Sequence, residues 1–487
     1  MMASQDASLL PTKRAIFNLV NYVLSLVVIG APYLFEQAGV VPALGLYLLY
    51  LVLMTTTAGW LCRAVEVAGR SSGRWPVAGL RELVEVIAGR GVFEGIVALA
   101  FFLDLYGTLV MCVTVLANHL ALLLPALPWL TLSTLKFLLL PVLVSISSLP
   151  FHQLSITSFF GTSCALGIVA VLLIDGFSNP TQPGSILDPS PVRLWPSNDG
   201  WGGAWGSLAI AVGVAVTTTS GHSGLPVQYM LLKDRRKNYG VWLSTSFGTA
   251  VAVLCVCGST GYLMFGDAVE EAITQNLFAM KENRVINSII TIFVAIIPMT
   301  TFPLYLEPLA ADTEAALLRL FASYPAPSRR RGRKQQIVGQ LNETTPLLVD
   351  EAESGDVVED GATGQGSSAT SSSVADTPPA PRFLTRALLR ALLATLAVAT
   401  SISLPSFINL VALLGALVTA VTAVIVPTGC FLALARTSSP IRAGLVENDD
   451  YIIVGSWELA VAWGVMLLGS GLAVFGTVGT VGRIWNA

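Results

Sequence analysis

The densest concentration of chemically capable groups in this chain runs from Thr217 to Lys237, as Thr-Thr-Thr-Ser-Gly-His-Ser-Gly-Leu-Pro-Val-Gln-Tyr-Met-Leu-Leu-Lys-Asp-Arg-Arg-Lys. Thr218, Ser220 and Ser223 supply hydroxyls and His222 supplies an imidazole. Gly221, Gly224 and Pro226 prevent the backbone from staying helical: proline lacks an amide hydrogen, and glycine leaves helical angles at little cost. The stretch ends a long apolar run, so it predicts a helix broken inside a membrane. Such a break is tolerated only where protein or a water-filled cavity covers it, and so it marks a binding site near the middle of a helical bundle. Histidine as a residue type titrates in a range that a proton gradient can bias, so His222 is a candidate for proton coupling. The alternative is a structural hydrogen bond across the break. Asp104, within Phe101-Phe-Leu-Asp-Leu-Tyr106, is an ionisable residue in another apolar run. It predicts either a role in gating or proton transfer, or a structural pairing with a hydroxyl or amide.

These groups need a scaffold, and composition says which kind. Over 487 residues, 54% are hydrophobic, only 12% are charged, and mean hydropathy is +0.71. A water-soluble chain carries about twice that charged fraction. The pattern predicts an all-α polytopic membrane protein with about 11 transmembrane helices, at roughly 15–35, 43–62, 92–117, 134–149, 154–175, 204–231, 240–264, 286–310, 384–404, 406–435 and 451–481. With residues 1–14 as a cytosolic tail, 22 of the 27 Lys and Arg fall on the cytosolic side, which satisfies the positive-inside rule. The lipid bilayer is therefore a partner and nucleic acid is not. No cleavable signal peptide is expected, because the first fifteen residues are polar and the first apolar run has the length of a span. All six cysteines fall in or beside apolar runs and read as small buried hydrophobes, the Cys255-x-Cys257 pair included. Neither a disulfide framework nor a metal site is expected.

Two polar segments interrupt the apolar pattern. Residues 176–203 form a loop rich in Pro, Ser, Gly and Trp on the non-cytosolic side. Residues 322–381 read as a disordered cytosolic insert, too poor in apolar residues to order itself. Within it, Glu343-Thr-Thr-Pro-Leu347-Leu348 fits an acidic-dileucine sorting signal, which would bind an adaptor. The sequon Asn342-Glu-Thr344 faces the same side and is expected to stay unmodified.

Several separated stretches resemble the amino acid/auxin permease family, and within it fungal and plant vacuolar amino acid transporters. They are Ser220 to Pro226 with Met230-Leu-Leu-Lys-Asp234, Gly261-Tyr-Leu-Met-Phe-Gly-Asp267 with Ile273-Thr-Gln-Asn-Leu277, Pro298 with Phe302, Pro303, Leu306 and Pro308, and Arg386-Ala-Leu-Leu-Arg390 through Ser403-Leu-Pro-Ser-Phe407 and Pro427. The resemblance runs in order from residue 15 to about 440. It implies a 5+5 inverted-repeat transporter of the LeuT-like, APC type, with helices 1–8 over 15–310 and helices 9–11 over 384–481. It also implies proton-linked movement of neutral amino acids, often across an acidic vacuolar or lysosomal membrane.

In such a fold the first helix of each half is interrupted. The first span offers Asn21, Ser25, Gly30 and Pro32. Ser25 and Val27 stand where the family usually has glycine, which leaves open whether the break shifts towards Gly30-Ala-Pro32. Freed amides favour a carboxylate and freed carbonyls an ammonium. Asn21, Ser25, Gly30, Thr218, Ser220, Gly221 and Ser223 are thus the candidate substrate contacts, with Pro32, Gly224 and Pro226 setting the breaks. Thr300 and Thr301 sit where sodium-coupled relatives place a cation-binding hydroxyl, so sodium is the alternative coupling ion and a plasma-membrane permease the alternative setting. An amino-acid sensor signalling through the insert is a further alternative. An intramembrane enzyme is not expected, since no nucleophile–base set or zinc motif occurs, and no cofactor is implied.

Overall fold

The computed structural model describes residues 9–24, 26–72, 79–124, 130–148, 151–198, 201–280, 284–323, 380–403, 407–436 and 455–486. Among these residues, nine helices are long and apolar enough to cross a bilayer, and the bent pair Thr12–Leu24 with Val27–Ala38 forms a tenth crossing. The shorter apolar helix Leu132–Ile146 stands where the fourth span is expected. Counting Leu132–Ile146 as the fourth, the helices are numbered here as spans 1 to 11 in chain order. With 15 residues, span 4 reaches only about 22 Å along its axis. Ser25, Glu343, Leu347 and Leu348 lie outside the described residues.

Several helices outrun their hydropathic segments. Span 2 covers Val40–Ser72 and span 8 covers Arg284–Ser323, against the expected 43–62 and 286–310. Hydropathy marks the stretch that lipid accepts, whereas a helix continues until something breaks it. Beyond residue 310, span 8 is built from Ala, Leu, Glu and Arg, which are strong helix formers. The expected insert narrows at both ends for the same reason, because helix persists to Ser323 and resumes at Ala380.

Spans 1 and 6, five apart in the order, carry the two breaks, and the breaks share one construction. Span 1 is helical over Thr12–Leu24, tightens into a 3-10 turn over Val27–Gly30, and restarts as Ala31–Ala38 at an angle of 49°. Span 6 runs Gly203–Thr219, becomes extended at Ser220 (φ −88°, ψ 151°), forms a 3-10 turn over His222–Gly224, and restarts as Leu225–Leu231. Gly30 (φ −90°, ψ −3°) and Gly224 (φ −90°, ψ −9°) cap the restarted helices, and Pro32 and Pro226 lie in their first turns. A first-turn proline sacrifices only an amide that has no helical partner anyway. The prolines therefore restart the helices, and the residues before them do the unwinding. Val27 is tolerated because 3-10 dihedrals lie in the right-handed region open to β-branched residues.

Span 1 packs against spans 5 and 7, span 8 against spans 3 and 5, and span 6 against spans 10 and 11. Apolar side chains gain little by leaving lipid for protein, so helices associate where small residues let their backbones approach. A Cβ on Gly213 or Gly415 would overlap the backbone of the other span, the carbonyls of Ala412 and Gly213 being the respective obstacles. Leu48, Val52 and Leu99 point outward as lipid-facing surface. Span 10 departs from α-helical winding over Leu414–Thr419 and Val421–Ile425, where it is π-helical.

Candidate functional site

The extended link of span 6 faces the start of the span 1 break, and a small polar cavity lies between them. Its volume is about 30 Å³, and its wall includes Tyr22, Val27, Asp104, Thr108, Ser220, Ser223, Tyr305 and Thr419. That volume holds one or two waters, too few for an amino acid to fit in this conformation.

Asp104 is its chemical centre. The carboxylate is buried and accepts hydrogen bonds from Thr419 Oγ1 (2.7 Å) and Thr422 Oγ1 (3.2 Å). Both donors lie in the π-helical part of span 10. Extra residues wound into a turn re-aim side chains, which is why such segments collect at functional sites. Ser223 stands on the same cavity wall. No lysine, arginine or histidine pairs with Asp104 among the described residues.

Tyr22 closes the cavity on one side. Its hydroxyl and Ser223 Oγ are 3.1 Å apart, its ring stacks on Tyr305 at 4.2 Å between centroids, and Tyr305 donates back to the Tyr22 carbonyl at 3.1 Å. Beyond Tyr22 lies a second, larger cavity of about 300 Å³, lined by Asn18, Arg81, Gly224, Gln228, Glu307, Asp312 and Arg319 among others. It opens at the arginine-rich end of the bundle.

The opposite end is clamped shut by Arg193, from the loop between spans 5 and 6. Its guanidinium reaches the Glu36 carbonyl and carboxylate (both 3.0 Å) and Asp267 (3.1 Å), and its amide donates to the Tyr262 hydroxyl at 2.9 Å. Partial burial acts to lower the affinity of Arg193 for its proton, but Tyr262, Asp267 and Glu36 outweigh it and hold the group above its ordinary value. Arg483 of span 11 bonds the Tyr33 hydroxyl on the same half-helix.

Of the candidate residues, Asp104, Ser220 and Ser223 meet at the cavity. Gly30, Thr218 and Gly221 are buried behind it: Thr218 bonds its own helix at the Ala215 carbonyl (3.0 Å), and Gly221 packs on Val23. His222 faces away from the cavity, with Nε2 2.9 Å from Thr57 Oγ1 of span 2. The Thr57 hydroxyl donates to the Leu53 carbonyl, so Nε2–H is the donor to Thr57, and the buried Nδ1 has no partner. Asn21 turns towards span 5, where its Oδ1 and Thr300 Oγ1 both press on Gly161. Thr300 bonds the Ile297 carbonyl at 2.8 Å, and Thr301 Oγ1 is buried without a partner. Sequence reasoning missed Tyr22, Tyr305, Thr419 and Thr422. The last two had a signal, as hydroxyls three apart in an otherwise apolar run. Glu307, on the wall of the larger cavity, pairs with Arg390.

Comparison with known proteins fits this geometry. The family model for transmembrane amino acid transporter proteins matches residues 11–468. The chain belongs to that family. It is a multi-pass membrane protein and a secondary amino acid transporter, not an enzyme. Among solved structures, it resembles that of MhsT in complex with L-phenylalanine, with a TM-score of 0.51, 10% identity, and coverage of 96% of this chain and 98% of that one. A structure of Mhp1, a nucleobase-cation-symport-1 family transporter in a closed conformation with bromovinylhydantoin bound, gives a TM-score of 0.49 and 12% identity, covering 98% and 92%. The likeness to MhsT is one of fold, the 5+5 inverted-repeat arrangement expected above.

Proposed function

We propose that this transporter moves neutral amino acids together with protons, and that Asp104 is the group through which the two are linked. One observation supports this above all: a buried carboxylate faces the cavity between the two broken spans, held by hydroxyls and paired with no basic side chain among the described residues. Such a group can hold a proton or a substrate ammonium, and alternating access exposes it to each side of the membrane in turn. The amides and carbonyls freed at Ser220–Ser223 and at the span 1 break complement the two charged ends of an amino acid. In this reading His222 braces the break against span 2 and does not carry the coupling proton.

An acidic organelle is the proposed location, supported by the Glu343, Leu347 and Leu348 motif, with adaptor binding through it. A plasma-membrane setting is the competing one. Sodium coupling is a second reading, favoured by the grouping of Asn21 with Thr300 and by the unpartnered Thr301 hydroxyl. Uptake of a panel of radiolabelled amino acids into proteoliposomes, with an imposed pH gradient and with or without sodium, tests both. Accumulation abolished by a protonophore is the expected result. Accumulation that needs sodium and ignores the protonophore overturns the proton reading, and binding without uptake turns the assignment towards a sensor.

A further inference from the structure

Among the described residues, Tyr22 is the one that lines both the small cavity around Asp104 and the vestibule at the arginine-rich end. Everything else in the partition is adjacent to it or braces it. Ser223 and Gly224 are consecutive, the first facing the cavity and the second the vestibule. The same holds for Tyr305 and Leu304. The phenol spans the gap between the two broken helices, with its hydroxyl against Ser223 and its ring against Tyr305. Gly224 is shaped around it, since a Cβ there would stand 2.6 Å from two ring carbons of Tyr22. The far end of the site has no comparable single barrier, being closed by the Arg193 cluster that ties a loop to spans 1 and 7.

We propose that Tyr22 is the cytosol-side gate of the substrate site. It swings between a closed position on Ser223 and Tyr305 and an open one in the vestibule. The vestibule has the room for this, at about 300 Å³, and the hinge is at hand because the helix Thr12–Leu24 ends two residues after Tyr22. Ser223 links the gate to the chemistry. Its oxygen lies against the Tyr22 hydroxyl, and Ser223 shares the cavity wall with Asp104, so a change in what that cavity holds alters the partner available to the gate. This link rests on the Asp104 reading above, whereas the gate itself rests on geometry alone.

The test reads access and not transport. Thr108 lines the cavity, and Thr108→Cys places a thiol there. The rate of its modification by a membrane-impermeant cationic methanethiosulfonate is measured from each face of oriented vesicles, against the parent chain with its six native cysteines. With Tyr22 intact, labelling from the cytosolic face is slow. Adding Tyr22→Ala should accelerate it at least tenfold from that face and leave the other unchanged. Tyr22→Phe, which keeps the ring and loses one hydroxyl contact, should accelerate it about fivefold, the population shift expected from one neutral hydrogen bond. An unchanged rate in Tyr22→Ala, or equal acceleration from both faces, overturns the gate. Proton-driven uptake that survives Asp104→Asn, with the labelling pattern intact, counts against the Asp104 reading and leaves the gate standing.

Discussion

Replacing Asp104 by asparagine removes a charge and almost nothing else. The amide keeps an oxygen for Thr419, now 2.7 Å away, and its nitrogen can donate to the Thr422 hydroxyl at 3.2 Å, which can turn its own hydrogen to the Thr419 carbonyl. A hydrogen bond to a charged group is worth about 1.5–3 kcal/mol and a neutral one about 0.5–1.5. Two such bonds therefore lose roughly 2 kcal/mol of site organisation, which limits the expected rise in exchange KM to about 30-fold. Accumulation should fail altogether, because a side chain that cannot ionise cannot release a proton to the other side. The assay is labelled substrate in proteoliposomes, followed as gradient-driven uptake with and without protonophore and as exchange at equal pH. The expected result is exchange without accumulation. Protonophore-sensitive accumulation by Asp104→Asn refutes the assignment. Equal loss of exchange and accumulation makes Asp104 an ammonium ligand instead of a coupling group.

Further outcomes follow from other contacts. Thr57→Val leaves the His222 Nε2 donor buried and unpaired, which should cost about 1–3 kcal/mol of stability, seen as a lower melting temperature in detergent. The pH profile of uptake should not move, and a shifted profile would return the coupling role to His222. Gly415→Ala drives a methyl into the Gly213 carbonyl and the Thr217 hydroxyl. Overpacking of this kind costs about 1–3 kcal/mol, so melting should fall, and an unchanged melting temperature would mean that spans 6 and 10 yield more easily than their packing suggests. Arg193→Ala releases Glu36 and Asp267 together, while the backbone amide still meets Tyr262, and should raise labelling of Thr108→Cys from the non-cytosolic face roughly tenfold, for about 1.4 kcal/mol of lost closure. Leu347→Ala with Leu348→Ala should move the protein to the cell surface, and an unaltered distribution removes the sorting argument.

The breaks were legible because glycine and proline act on the backbone locally, so Ser220 to Pro226 and Gly30 to Pro32 could be found without knowing what surrounds them. Asp104 was legible as a single acid in an apolar run. Tyr22 and Tyr305 were not, because an aromatic residue in a membrane segment looks the same whether it fills the core or closes a passage. Thr419 and Thr422 stood out only as hydroxyls in an apolar run, and what they face was hidden by winding, since no pattern in Leu414–Ile425 announces π-helical turns. His222 attracted attention by its titration range, but which face of a three-residue turn it occupies is a tertiary matter. Asn21 and Thr300 meet only through the absent side chain of Gly161, a contact between three distant stretches that no local pattern contains.

The solitary Asp104 carboxylate also has an electrical meaning. A zwitterionic substrate adds no net charge, so a site with Asp104 protonated and occupied is neutral, whereas the emptied, deprotonated site carries one negative charge. No basic side chain among the described residues cancels it. Under the proton reading, the returning carrier and not the loaded one moves charge through the membrane field, where a full crossing is worth about 2.3 kcal/mol per 100 mV. The resting potential would then set the pace of turnover by acting on the empty protein. Transient currents in the absence of substrate, missing in Asp104→Asn, are the signature, and their persistence in that variant would assign the moving charge to another residue.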